Sequence, residues 1–271
     1  IKAAAMFRNQ YDTDITTYSP AGRVHQIEYA MEAVKQGSAT VGVKSKTHVV
    51  IVALKRAPHA ELSAYQKKLF KIDNHMGISI AGLTSDARVL SRYMQRECIN
   101  HKYTFEAPMQ VNRLVLQVAD KSQVCTQRSS KRPFGVGLLV AGYDRTGAHL
   151  FQTCPSGNYY DYKAIAIGAR SQSAKTYLEK KFETFNDITD VKELVKQALV
   201  ALQSTTGESV ELNSRNTSIG IVGKGQRFVI HEDEDVQEYI DMLDDETAND
   251  DEGEGDAEDG EDSPTDMDTT E

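Results

Sequence analysis

The residues best able to do chemistry stand at one junction, Gly37-Ser38, inside "YAMEAVKQGSATVGVKSK". If the helix-like run ahead of it is a leader cut away after Gly37, Ser38 becomes an amino terminus. Its hydroxyl is then a nucleophile with its own amine as base, the device of a hydrolase working through an acyl intermediate. If the run is permanent, the nitrogen of Ser38 is an amide, which is no base at any useful pH. Other chemistry is poorly supplied. The 7 histidines show no HExxH or other ligand spacing, and there is no GxSxG and no phosphate-cradling glycine loop. Cys98, Cys125 and Cys154 are odd in number and lack metal-ligand spacing, which fits buried thiols in a reducing compartment. No metal and no cofactor is expected.

The elements that position this junction can be read from periodicity. Ser19 suits a helix N-cap and Pro20 the first helical position, with Val24, Ile27, Met31 and Val34 on one face. Ala30 and Ala33 lie beside that face, as in a packing element, and Gly37 suits a left-handed C-terminal cap. Strand pairs follow at 39–45 with 48–54 and at 68–73 with 75–82. Thr84 is expected to cap a helix turning Leu90, Tyr93 or Met94, and Cys98 inward. Pro108 opens another, with Val111, Leu114, Val115 and Val118 inward. Strands at 134–143, 148–154 and 162–168 precede a helix at 171–185. A further helix starts from Asp190 with Glu193 as capping-box partner, lined by Leu194, Val195, Ala198, Leu199 and Leu202. A hairpin at 217–223 and 227–231 and a short helix at 236–243 close the pattern.

Hairpins alternating with helix pairs imply antiparallel sheets, because their connections are too short for parallel crossovers. The simplest packing is an α+β fold, a four-layer α-β-β-α sandwich of two antiparallel sheets with helices outside each. Both sheets are then buried on both faces, which accounts for the apolar runs "VVIVAL" and "GVGLLVAG".

Charge divides the chain. Residues 241–271 hold 16 acidic and no basic residues, so 1–240 carry 31 basic against 24 acidic, a net +7. The basic residues are scattered without an aromatic-basic recognition run, which argues against a nucleic-acid partner. No apolar run approaches the roughly 18 residues of a membrane span, and the N-terminus has no hydrophobic signal segment. Met6 reads as the start and Ile1–Ala5 as an upstream remnant. The expected organisation is thus 6–37 as N-terminal tail and helix, 38–240 as sandwich, and 241–271 as a disordered acidic tail.

"YDTDITTYSPAGRVHQIEYAMEAVKQGSATVGV" resembles the N-terminal signature of the α subunits of the 20S proteasome. "RPFGVGLLVAGYD", "PSGNYYDYKAIAIGARSQSAKTYLE" and "SIGIVGK" are similar to its later blocks, and the resemblance spans Met6 to Tyr239. It implies the N-terminal nucleophile hydrolase-like sandwich in a non-catalytic form. The β relatives free a threonine by cleavage after glycine and manage its proton with a lysine and an aspartate. Here Ser38 falls on the nucleophile position and Lys68 on the lysine position, whereas the carboxylate position carries Leu54, which can orient nothing. Lys68 is then more simply a surface or binding cation.

The resemblance implies a seven-membered ring of α subunits, stacked on a ring of β subunits in a threonine-type endopeptidase complex of cytoplasm and nucleus. The function implied is substrate entry and docking of regulatory-particle ATPases or other activators, in ubiquitin-dependent and ubiquitin-independent degradation. By motif, Tyr11, Asp12, Pro20 and Tyr29 hold the gate, although Thr13 replaces an arginine found there in the family's fullest form. Lys68, Gly37 and Leu83 fall on the pocket between adjacent subunits that takes an activator's C-terminal carboxylate. Met31 stands where some relatives carry a base, which lowers that pocket's positive charge. Two other readings stay open: an active hydrolase using Ser38 after leader cleavage, and a free-standing binding domain with an acidic tail.

Overall fold

The computed structural model describes residues 10–56, 66–207 and 210–251, with side chains as far as Leu243. The expected start at Met6, the remnant Ile1–Ala5 and residues 252–271 of the acidic tail lie outside them. Helix α1 (His25–Gln36) leads into β1 (Thr40–Lys44), β2 (His48–Leu54), β3 (Leu69–Asp73) and β4 (Met76–Gly82). Helices α2 (Thr84–Phe105) and α3 (Val111–Gln127) precede β5 (Val136–Asp144), β6 (Gly147–Thr153), β7 (Tyr159–Asp161) and β8 (Ala164–Ile167). Helices α4 (Ser171–Lys181) and α5 (Val191–Thr206), strands β9 (Thr217–Gly223) and β10 (Gln226–Glu232), and α6 (Glu234–Asp251) complete the order.

The strands form two five-stranded sheets, β10-β9-β2-β1-β8 and β3-β4-β5-β6-β7. Every ladder is antiparallel. Strand alternation distributes the core. In β2, Val50 and Val52 point to the helices α4, α5 and α6, while Val49, Ile51 and Ala53 point to the other sheet. In β5, Leu138 and Val140 meet α2 and α3, while Leu139 and Ala141 meet the first sheet. Successive side chains leave a strand on opposite faces, so a run buried on both sides must be apolar throughout. All these residues are 0% exposed, and each valine, leucine or isoleucine among them contributes about 1.5–3 kcal/mol relative to exposure. The four-layer sandwich expected from the pattern is therefore the fold.

Several local expectations are corrected. The first helix starts at His25, not beside Pro20, and Val24 precedes it with no side-chain cap. Ser19 instead closes a turn: its carbonyl accepts from Gly22 N at 2.8 Å and its hydroxyl from Arg23 N at 3.1 Å. On α1 the buried residues are His25 and Val34, while Met31 is 41% exposed. Gly37 is not left-handed but extended, at φ −63 and ψ 152. Thr84 is the first helical residue of α2, not its cap. Helix α4 stops at Lys181, and a 3-10 turn at Thr184–Asn186 buries Phe185. Asp190 does cap α5, accepting from Lys192 N at 3.0 Å, but Glu193 accepts from Gln197 instead of closing a capping box.

Helix α6 runs to Asp251, well inside the segment expected to be disordered from 241. Composition weighed only how much apolar surface the segment could bury. Once Val236 and Ile240 anchor a helix on the core, with Leu243 against it, each added residue costs only its own ordering and gains a backbone hydrogen bond.

Candidate functional site

Helix α1 passes into β1 at Gly37-Ser38, where the surroundings are tight. A Cβ on Gly37 would stand 2.2 Å from Gly82 N and 2.9 Å from the carbonyl carbon of Ala81. On the other side Ala169 N donates to Gly37 O at 2.6 Å, and Gly168 (φ +97) faces Ser38 O. Glycine is thus required at 37 by close backbone approach, not by handedness. Ser38 is buried between these clamps.

The groups that resemble a proton relay do not form one here. Lys68 Nζ donates to the carbonyl of Ser38 at 3.3 Å. Leu54, half-buried, packs against the helix-side core and donates its N–H to Ala39 O at 3.0 Å. The hydroxyl's own nitrogen is a peptide amide, and the third member is hydrocarbon. Lys68 is also not a surface cation, being 3% exposed. Burial, and then the positive charge of Arg56, push its ammonium down to about 7.

Gly37, Lys68 and Leu83 do come together. Leu83, half-exposed, directly follows the Gly82 on which Gly37 rests, and its N–H donates to Gly135 O at 2.9 Å. A Cβ on Gly135 would touch Leu83 Cδ1 at 2.7 Å and lie 3.8 Å from Ala33 Cβ, so the end of α1 is seated on the same wall. That wall is braced by Asp86, whose carboxylate accepts both guanidinium nitrogens of Arg132 at 2.7 Å and Gly135 N at 2.9 Å. The Arg132 hydrogen bonds hold Asp86 below the usual carboxylate range.

Sequence reasoning missed Arg56. Its guanidinium donates to Gln36 O, the last carbonyl of α1, and its N–H to Gln66 Oε1 at 2.8 Å. Its only signal in the chain was a basic residue two places after β2, which is no signal of a site.

The residues expected at a gate are partly gathered. Tyr29 donates its phenol O–H to Asp12 Oδ2 at 2.9 Å, and Gln26 donates its amide to the Asp12 carbonyl. Pro20 lies in the Ser19–Gly22 turn, where Gly22 takes φ +72. Arg23 then pairs with Glu28 through two contacts, at 2.5 and 2.8 Å. Tyr11, half-buried, stands beside Asp12. The His25 ring stacks on Tyr29 at 6.3 Å between centroids. Replacing Tyr29 with Phe is expected to cost about 0.5–1 kcal/mol of local stability. Amide exchange across 10–16 should then speed up roughly twofold to fivefold with the sandwich unchanged. Unaltered exchange would remove the bond from any fastening role.

Among the described residues, no group of three His, Cys, Asp or Glu side chains is arranged to hold a metal ion. No described helix is long and apolar enough to cross a membrane.

Two family profiles match the chain: that of the proteasome subunits over residues 34–222, and that of the N-terminal signature of A-type proteasome subunits over 11–33. The alpha type-1 proteasome subunit of Dictyostelium discoideum is 60% identical over 242 residues, covering 89% of this chain and 97% of that protein. The alpha type-1 proteasome subunit of Caenorhabditis elegans is 51% identical, covering 88% and 91%. The probable alpha type-6 proteasome subunit of Schizosaccharomyces pombe is 52% identical, covering 89% and 88%.

Proposed function

The chain belongs to the proteasome subunit family as an alpha-type, non-catalytic outer-ring subunit of the 20S core, and on that footing we propose that it helps close the substrate entrance and docks regulators there. It assembles with other proteasome subunits. In this reading it holds one place in a ring of seven alpha subunits, against a beta ring whose threonine residues do the hydrolysis. Cytoplasm and nucleus are its proposed places of work.

The observation that carries the reading is the fastening of residues 10–23 onto α1 through Asp12 and Tyr29. A segment held to its own helix by a few hydrogen bonds, the Arg23–Glu28 pair and one buried isoleucine can be released by a partner that offers better contacts. The clamped Gly37-Ser38 peptide supports the non-catalytic half. While that peptide is intact, the nitrogen of Ser38 is an amide and cannot serve its hydroxyl as a base.

The test uses assembled particles carrying this chain. Mass spectrometry should find the peptide spanning Gly37 and Ser38 intact, and Ser38→Ala should leave all peptidase activities unchanged. A chain beginning at Ser38, with one activity lost in Ser38→Ala, would replace this reading by that of a hydrolase.

A further inference from the structure

We infer that the chain's own acidic segment, residues 252–271, docks on the end of the sandwich where the strand turns meet, over a cavity flanked by Lys102 and Arg227. The cavity lies at the other end of β4 from Gly82, between the β3–β4 turn, the β9–β10 turn and the last turn of α2, and measures about 310 Å³. Asp73, His75 and Tyr143 line it beside the two cations, both of which are exposed. Among the described residues neither Lys102 nor Arg227 forms an ion pair with a carboxylate. The acids of the neighbouring turns are engaged locally. Asp73 accepts from Asn74 N at 2.7 Å and faces His75 Nδ1 at 3.5 Å. Asp144 accepts from Thr146 N at 2.8 Å, from His149 Nε2 at 3.1 Å and, through its other oxygen, from Val111 N at 3.1 Å. Arg145 and Lys224, exposed at the tips of the β5–β6 and β9–β10 turns, add to the positive charge left uncompensated.

The course of the chain supplies the occupant. Glu238 of α6 accepts from Lys192 in the first turn of α5 at 2.6 Å. Asp187, just ahead of α5, accepts from Lys46 in the β1–β2 turn at 3.4 Å. The β9–β10 turn joins the same group, since Lys224 N donates to Thr47 O at 2.9 Å. By Glu238, therefore, α6 has reached the end where the turns meet, and it continues to Asp251. Residues 252–271 then bring 10 acidic and no basic side chains, with a reach of up to about 3.3 Å per residue, ample to cross to the cavity. A short tether holds such carboxylates at on the order of millimolar effective concentration. A site with a dissociation constant of about 1 mM is then roughly half filled. Ammonium and guanidinium groups without carboxylate partners gain charge-assisted hydrogen bonds from that filling. The attraction is between exposed charges, so salt must weaken it.

The test compares assembled particles carrying the full chain with particles whose copy of this chain ends at Asp251. Hydrogen exchange is read on peptides of this chain covering 100–108 and 222–228, with 34–40 as the distant reference. Removing residues 252–271 should speed exchange in the first two stretches by about twofold, as half filling requires, and leave the third unchanged. In the full chain, carbodiimide should join acids of 252–271 to Lys102 and Lys224 ahead of other lysines. Arg227→Gln should lower both yields, and about 0.5 M salt should abolish them. Both Lys102 and Arg227 are exposed, so Arg227→Gln and Lys102→Gln leave the core intact, and unchanged exchange at 34–40 verifies it. Equal exchange with and without residues 252–271, or cross-links spread over the lysines without preference, would overturn the proposal. Polyglutamate added to the shortened chain should restore the lost protection. If it protects the two stretches although removing 252–271 changed nothing, the cavity serves an acidic segment of another protein and docking of this chain's own segment is refuted.

Discussion

Gly37→Ala is expected to destabilise the chain by about 3 kcal/mol. The backbone conformation is not the obstacle, since φ −63 and ψ 152 suit alanine well. By itself that change would stabilise slightly, by about 0.4–1 kcal/mol, through a less flexible unfolded chain. The obstacle is the 2.2 Å approach to Gly82 N. Gly82 has little room to retreat, because it sits at φ +116 and a Cβ on it would itself run into Gly135 O. Nor can Gly37 move away, because its carbonyl is bonded to Ala169 and Gly168 presses on Ser38. Gly22→Ala is the contrasting case. A Cβ there meets nothing within 4 Å, so only the cost of positive φ remains, about 1 kcal/mol. Urea midpoints of the two variants, with their yields in assembled particles, measure the difference. Equal midpoints for Gly37→Ala and the parent would mean that the α1–β4 contact is not a tight one.

The second large effect is a dependence on pH. Compared with Lys68→Met, the parent chain is expected to gain stability as pH rises from 7 to about 10. The unfolded chain protonates this lysine near the ordinary value of about 10.4, whereas burial and Arg56 bring the folded value down to about 7. Below pH 7 the ammonium is charged in both states and the full cost of burying it is present. Above about 10.5 it is neutral in both and the cost is gone. Between those limits the unfolded chain binds the extra proton, so raising pH favours the folded state. The whole span is on the order of 4 kcal/mol. Methionine fills a similar volume without charge, so Lys68→Met should be the more stable form at pH 7, with the gap closing by pH 10. Parallel curves for the two proteins would show that the Lys68 ammonium is better solvated than its surroundings indicate.

Much of the fold was legible in the chain, and what was not has a physical reason. The run "HVVIVAL" forms a strand buried on both faces because alternation leaves no other way to place six consecutive apolar residues between two layers. Ser19 and Pro20 were ambiguous. A hydroxyl that can cap a helix can equally accept from the backbone of a turn, and here it does the latter. Strand β7 escaped notice because "YYD" is short and exposed, and its place is set by pairing with β6. At the site, Asp12 and Tyr29 were picked out by motif as groups able to bond between neighbouring chains, and the structure joins them within one chain. Gly37 was found for a wrong reason: a glycine after a helix suggests a cap, while its true constraint is a residue 45 positions on. Arg56 could not have been found, since its partner is a helix-end carbonyl 20 residues earlier, and neither spacing nor residue type encodes that meeting.

The fastening of residues 10–23 has a consequence for timing. Detaching them breaks the bonds of Asp12 to Tyr29 and Gln26 and exposes Ile15, now 4% exposed. That sums to on the order of 3–5 kcal/mol, while the doubly covered sheets stay intact. Roughly one molecule in a few hundred to a few thousand is therefore unlatched at any instant. The N-terminal segment can flicker many times during the lifetime of one folded interior, and a binding partner need supply only that small difference to hold it away from α1.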